Sequence, residues 1–304
     1  MRSLAGLIGL CGVPRRTGKT GQDDLRHDAR ARKKIVSAAY AVYKTGYDQG
    51  EAGLEARLTA AKTFRKTHAY AEHREPAARA PYFIGVWDTV RSLGIPLGYK
   101  DWELTLWPHR FHDHDLNAYV RYAFHALSID DRRQQFLPTV WNEPTKAQET
   151  GDPVGQVFEQ VWFPGVHADV GGGYEDTSLA DIALSWMVEK ALRAEHPLWL
   201  DQDPRLHLRP SPAGKLHDSR EGFWRRLLYR EVWRSVCKGH QEPLSKVTEK
   251  TGEAFLHTSW LARLGTLYPD YRSPHLGSHP DYKRAVDQLE RGIRPPQGPW
   301  GLIR

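Results

Sequence analysis

Asp88 and His167 are the pair whose types and positions suit acid–base chemistry. Asp88 ends the apolar run Tyr82-Phe83-Ile84-Gly85-Val86-Trp87. His167 follows a second such run, Val157-Phe158-Glu159-Gln160-Val161-Trp162-Phe163, after Pro164-Gly165-Val166. Each reads as a buried strand with a reactive side chain at its carboxyl end, where ligands meet open α/β sheets. A carboxylate beside an imidazole fixes one tautomer and leaves the other ring nitrogen as a general base. Gly165 before His167, and Gly171 to Gly173 after it, let the backbone turn sharply and keep the ring accessible. Spacing alone fits equally well with two unrelated polar residues that cap strand ends.

Such a dyad needs a group to activate. No serine of this chain has the Gly-x-Ser-x-Gly setting of a strand-to-helix elbow. Cys11, in Leu-Cys-Gly, and Cys237, in Val-Cys-Lys, follow no strand and read as inert, partly buried thiols. Gly12 to Gly18-Lys19-Thr20 looks like a phosphate-binding loop, but five residues separate the glycines instead of four, and no strand precedes it. It reads as a flexible basic loop. His109, His112, Asp113, His114 and Asp115 are donors suited to zinc, manganese or iron. They lie in a loop without helical spacing and read as water-facing, so neither metal nor cofactor is expected.

The elements that would position Asp88 and His167 follow an α/β pattern. Helices are expected over Ile35 to Tyr47, Leu54 to Ala71, Ser178 to Arg193 and Phe223 to Val236. The apolar opening Leu4 to Val13 reads as a helix stopping at Pro14; it lacks the cleavage site of a signal peptide. Residues 277–304 read as a poorly ordered Pro/Gly-rich tail. Two cysteines exclude a disulfide framework, and no run approaches the length of a membrane span. A net charge of +6 in 304 residues permits anionic partners without demanding nucleic acid, and none is expected. The 11 tryptophans need a large core or an interface.

Several segments in order carry a family likeness. They are Arg2-Ser-Leu-Ala-Gly-Leu-Ile, Ile84-Gly-Val-Trp-Asp-Thr-Val90 and Tyr122-Ala-Phe-His-Ala-Leu-Ser-Ile-Asp-Asp131. Val161-Trp-Phe-Pro-Gly-Val-His-Ala-Asp-Val-Gly-Gly-Gly-Tyr174, Leu216-His-Asp-Ser219 and Tyr271-Arg-Ser-Pro follow. With these the chain resembles the DUF2235 family of α/β-hydrolase domains, which includes the catalytic domains of Tle1-like type VI secretion phospholipase effectors. The resemblance spans residues 1–276. It implies the C-terminal portion of an α/β-hydrolase: a mostly parallel sheet flanked by helices, with Asp88 as triad acid and His167 as triad base.

In that family a Gly-Phe-Ser-Arg-Gly elbow supplies the nucleophile and runs into a segment like Arg2-Ser-Leu-Ala-Gly. On this register the serine falls just before Met1, and the strands ahead of it, with part of the oxyanion hole, fall outside the chain. The resemblance therefore implies a serine-hydrolase domain, acting on a lipid or small ester, that is inactive as it stands. It also implies contact with a membrane surface, a cytoplasmic origin with delivery by type VI secretion, and a secretion adaptor or immunity protein as partner. The alternatives are a non-catalytic remnant or interaction module, and a metal-dependent hydrolase built on His109 to Asp115. Trp102, Leu104, Leu106 and Trp107 suit a lipid-facing rim or ordinary packing under their loop. His125 to Arg133 reads as a segment that closes a helix and ties it to neighbouring loops through Asp130, Asp131, Arg132 and Arg133, with solvated ion pairs as the alternative.

Overall fold

A computed structural model describes residues 2–15, 28–46, 49–90, 116–141, 155–200, 207–234, 236, 254–267, 269–273, 276–277, 279–293 and 302–303. Most of the Gly12–Thr20 loop, the segment Trp102–Trp107, the His109–Asp115 cluster and Cys237 lie outside these residues. The chain divides into two compact units. The first comprises Met1–Ile84, Leu116–Ala123 and Lys146–Val157; the second comprises Gly85–Asp115, Phe124–Thr145 and Phe158–Arg304.

The first unit is led by helices α1 (Arg2–Cys11), α2 (Ala29–Lys44), α3 (Gly50–His68) and α4 (Pro76–Arg79). Asp28 caps α2 by accepting from the N–H groups of Arg30 and Ala31. Cys11, Ile35, Ala39 and Phe64 are the buried residues of its small core. Helix α1 stops earlier than the proline suggested, because Gly12 takes φ +73°, the left-handed end that glycine adopts without penalty.

The sheet runs β1 (Phe83–Trp87), β2 (Tyr122–Ser128), β3 (Val157–Phe163), β4 (Phe255–His257) and β5 (Leu302–Ile303), in that spatial order. Strands β1 to β4 are parallel, and β5 pairs antiparallel with β4. With flanking helices this is the α/β architecture expected. Strand β2 is buried along its whole length, as a central parallel strand must be.

In the second unit α5 (His167–Gly171) and α6 (Ser178–Leu192) follow β3, then come α7 (Phe223–Leu228), α8 (Ser259–Leu267) and α9 (Pro280–Glu290). Its core gathers Leu127, Ile129, Trp162, Leu256, Trp260, Leu264 and Tyr282.

Three expectations need correction. The segment His125 to Ser128 is strand, not the end of a helix: hydrogen bonds to β1 and β3 outweigh the helix-forming alanines. The helix expected from Phe223 to Val236 ends at Leu228, because Gln134 N–H donates to Arg230 O and Val232 N–H to Arg132 O, drawing residues 230–232 out as an extended segment. The expected tail contains helix α9, which has Pro280 in its first turn, a His279 cap and Tyr282 and Ala285 buried.

Cys11 is sealed in the first unit's core, its Sγ–H pointing to Ala39 O at 3.7 Å. Burial pushes its thiol up to about 11, against a partial downward pull from Arg65. In a Cys237→Ser background the native protein is therefore expected to resist a thiol-specific chromogenic reagent at pH 8. Cys11 should react in full only after denaturation; fast native labelling would show that the α1–α2–α3 core is open.

Candidate active site

Asp88 comes directly after β1, its N–H donating to Ala126 O at 2.6 Å. Its φ of +36° lies in the left-handed region, a conformation non-glycine residues hold only when their surroundings insist. The surroundings are a fully buried nest of donors. Oδ1 accepts from Ser128 N–H at 2.9 Å and Arg234 Nη1 at 2.7 Å. Oδ2 accepts from Arg234 Nη2 at 3.0 Å, Ser128 Oγ at 3.2 Å and His167 Nδ1 at 2.6 Å.

Arg234 is itself fully buried, and its guanidinium also donates to Ser128 O and Phe136 O. Burial alone would push the Asp88 carboxyl up. The Arg234 guanidinium and the hydrogen bonds from His167 and Arg234 overrule it and hold the carboxyl far below the usual carboxylate range. An ionised carboxylate only accepts, so the proton between Asp88 and His167 sits on Nδ1 of the imidazole. In the neutral imidazole the lone pair is then on Nε2, and the side chain is 31% exposed. No hydroxyl or thiol among the described residues is hydrogen-bonded to it.

His167 opens α5, and several groups fix that turn. Its N–H donates to Asp131 Oδ2 at 3.1 Å, while Asp131 is gripped by Arg133 at 2.7 Å. Gly165, at φ +120°, brings its backbone so close to Asp169 that a Cβ there would stand 2.5 Å from the Asp169 Cβ. Gly165 N–H donates to Asp130 Oδ2 at 2.7 Å, and Tyr271 Oη donates to the same oxygen at 3.2 Å.

A second imidazole–carboxylate pair secures the far side. His217 Nδ1 lies 2.6 Å from Asp169 Oδ1, and Tyr174 stacks on the His217 ring at 3.7 Å. Asp169 Oδ2 accepts from Val166 N–H at 3.0 Å, holding the start of α5. Phe136 packs edge-on to His167 at 5.1 Å, under the Arg133 guanidinium at 3.4 Å.

The structure thus brings Asp88 and His167 together from 79 residues apart. It also shows partners that the sequence reading did not assign to the site: Arg234, Ser128, Asp169 and His217. Asp169 and His217 lay inside recognised motifs, and their two carboxylate–imidazole types were the available signal. Arg234 carried no local signal, because only the extended segment after α7 delivers it. Asp130, Asp131 and Arg133 do tie loops together, but from a strand end and with Asp131 fully buried; Arg132 instead makes partly exposed ion pairs with Asp218 and Glu231, as the alternative had it.

Among the described residues no group of three or more His, Cys, Asp or Glu side chains is placed to hold a metal, and no helix is long and apolar enough to cross a membrane. A family model described as T6SS, Phospholipase effector Tle1-like, catalytic domain matches residues 1–190. Comparisons with curated proteins and with solved structures give no match.

Two outcomes follow from the buried charges. Arg234→Met should destabilise the protein by about 3–5 kcal/mol in urea unfolding, since it strands the Asp88 charge. Combining it with Asp88→Asn should recover a large part of that loss; equal stability of Arg234→Met and the parent would refute the ion pair. Asp130 behaves oppositely to Asp88. Burial pushes its carboxyl up to about 6, only partly opposed by the hydrogen bonds from Gly165 and other neighbours. The folded state therefore keeps a proton that the unfolded chain releases near pH 4. Stability contributed by this group falls as pH rises from about 4 to about 6, by up to about 3 kcal/mol. Asp130→Asn should remove that slope when unfolding free energies are compared at pH 4 and pH 7.

Proposed function

This chain belongs to the Tle1-like family of type VI secretion phospholipase effector catalytic domains, and from that premise we propose that Asp88 and His167 are the acid and base of a Ser-His-Asp triad that hydrolyses phospholipid esters. The observation that carries the reading is the 2.6 Å contact between a buried carboxylate, held well below the usual carboxylate range by Arg234, and an imidazole on a side chain that is 31% exposed. In such a triad His167 Nε2 takes the proton of a hydroxyl as its oxygen attacks the ester carbonyl carbon. The imidazolium then gives that proton to the departing alcohol, and a water repeats the cycle to release the fatty acid. Asp88 stays ionised throughout.

The 304 residues contain no Gly-x-Ser-x-Gly. On this reading they hold the acid and the base without the nucleophile, and they do not turn over esters by themselves. A serine hydroxyl held at His167 Nε2 would complete the triad on this reading. Delivery into a target cell, with an adaptor and an immunity protein as partners, belongs to the same proposal and rests on family membership alone. A non-catalytic interaction module is the second reading; the absent serine favours it, while the fully assembled dyad speaks against it.

The upstream reading frame and an ester assay decide between them. A form extended through a Gly-x-Ser-x-Gly should hydrolyse p-nitrophenyl esters and phospholipid vesicles, while residues 1–304 alone should not. In the extended form His167→Ala should lower the rate on the order of 10⁴-fold with no loss of folding. Hydrolysis by the 304-residue chain at the extended form's rate would exclude the missing-serine reading. An in-frame stop with no elbow would favour the interaction module.

A further inference from the structure

Helix α7 buries none of its six residues. Phe223 is 74% exposed, Trp224 71% and Leu227 68%, and Leu228 is exposed as well. At about 100° per residue these four apolar side chains fall within one sector of roughly 140°, and Arg225 and Arg226 take the opposite side. An amphipathic turn in a folded domain normally lays its apolar face on the core. Here that face carries two aromatic rings and two leucines and points to solvent, with the two arginines free of salt bridges among the described residues. The helix is entered through Gly222 at φ +94°, with open space where a side chain would stand.

The position of α7 ties it to the candidate site. Tyr229, the residue after the helix, packs its ring edge-on to Phe136 at 6.1 Å, and Phe136 packs against His167 at 5.1 Å. Leu198, Trp199 and Leu200 are exposed too, but no described contact links them to His167. Aromatic side chains with arginines at hand are the residues that seat a helix in the headgroup region of a bilayer, the rings entering the acyl boundary and the guanidinium groups meeting phosphates. We propose that α7 is the element through which the protein docks on an anionic phospholipid surface, placing the wall of the His167 site at the bilayer. A protein partner would also cover an apolar face. The paired arginines, the chain's +6 charge and the lipid reading of the substrate, on which this inference rests, favour the bilayer.

The test is binding, which needs no nucleophile and no turnover. The full chain is mixed with vesicles of phosphatidylcholine, with or without phosphatidylglycerol, and sedimented. It should sediment with the phosphatidylglycerol vesicles, and Phe223→Ser with Trp224→Ser should lower binding about tenfold or more. Arg225→Glu with Arg226→Glu should remove the preference for the anionic lipid. Because all four side chains are exposed, these variants should keep the parent's thermal midpoint. His167→Ala should bind as the parent does, so failure of the triad reading and failure of this one are told apart. Unchanged binding by the Phe223→Ser/Trp224→Ser variant would overturn the proposal, as would a parent that binds neither vesicle. A parent dimer that this variant converts to monomer, without vesicle binding, would reassign the face to self-association.

Discussion

The site depends on one buried ion pair, Asp88 with Arg234. Burying either charge alone would cost several kcal/mol, and the pair offsets that cost through the bonds that both carboxylate oxygens and both guanidinium Nη atoms make. Ser128 contributes its N–H, hydroxyl and carbonyl to the two residues. Phe136 O takes a further guanidinium proton. The strained backbone at Asp88 is held by this same set of bonds, so the carboxylate cannot move off its line to His167 without leaving buried charge unpaired.

Around that centre the chain uses acidic groups chiefly to hold backbone. Asp131 accepts the N–H of His167, Asp130 that of Gly165, and Asp169 those of Val166 and His217. The turn between β3 and α5 has no regular ladder to satisfy its amides, and these three carboxylates do that work. The ring of His167 is therefore oriented twice over, through its own Nδ1 and through the backbone that carries it. Such preorganisation, settled during folding, is what the general-base role proposed for His167 requires.

The legible parts of this site were those written in local sequence. Asp88 directly ends an apolar run and His167 follows a largely apolar one by a short turn, so both strands and the meeting of the two side chains were readable. Strand β2 was not, because Tyr122 to Ser128 mixes alanines with His125 and Ser128, and its strand character comes from hydrogen bonds to β1 and β3. Polar groups inside a central strand look misplaced until their partners are known. His125 accepts from Thr89 N–H and contacts Gln160, and Ser128 serves Asp88. Arg234 was hidden for the same reason at longer range. It lies 146 residues from Asp88, at the end of a segment whose residues favour helix but pair instead with Arg132 and Gln134. Propensity cannot show a decision that tertiary hydrogen bonds make.

The charges near His167 also limit what Asp88 can contribute. Asp88 and Asp131 are each matched by an arginine, Arg234 and Arg133, so a proton reaching His167 joins a cluster whose fixed charges already cancel. The attraction Asp88 exerts on an imidazolium is shared with Arg234, and its Nδ1 hydrogen bond is not. On the proposed triad reading the carboxylate acts first as an orienting group that selects the tautomer, and only second as a counter-ion. A dyad built this way has little use for water as its nucleophile. Its strength is to aim Nε2 along one direction in the ring plane, and that benefit appears only when a hydroxyl is held on that line.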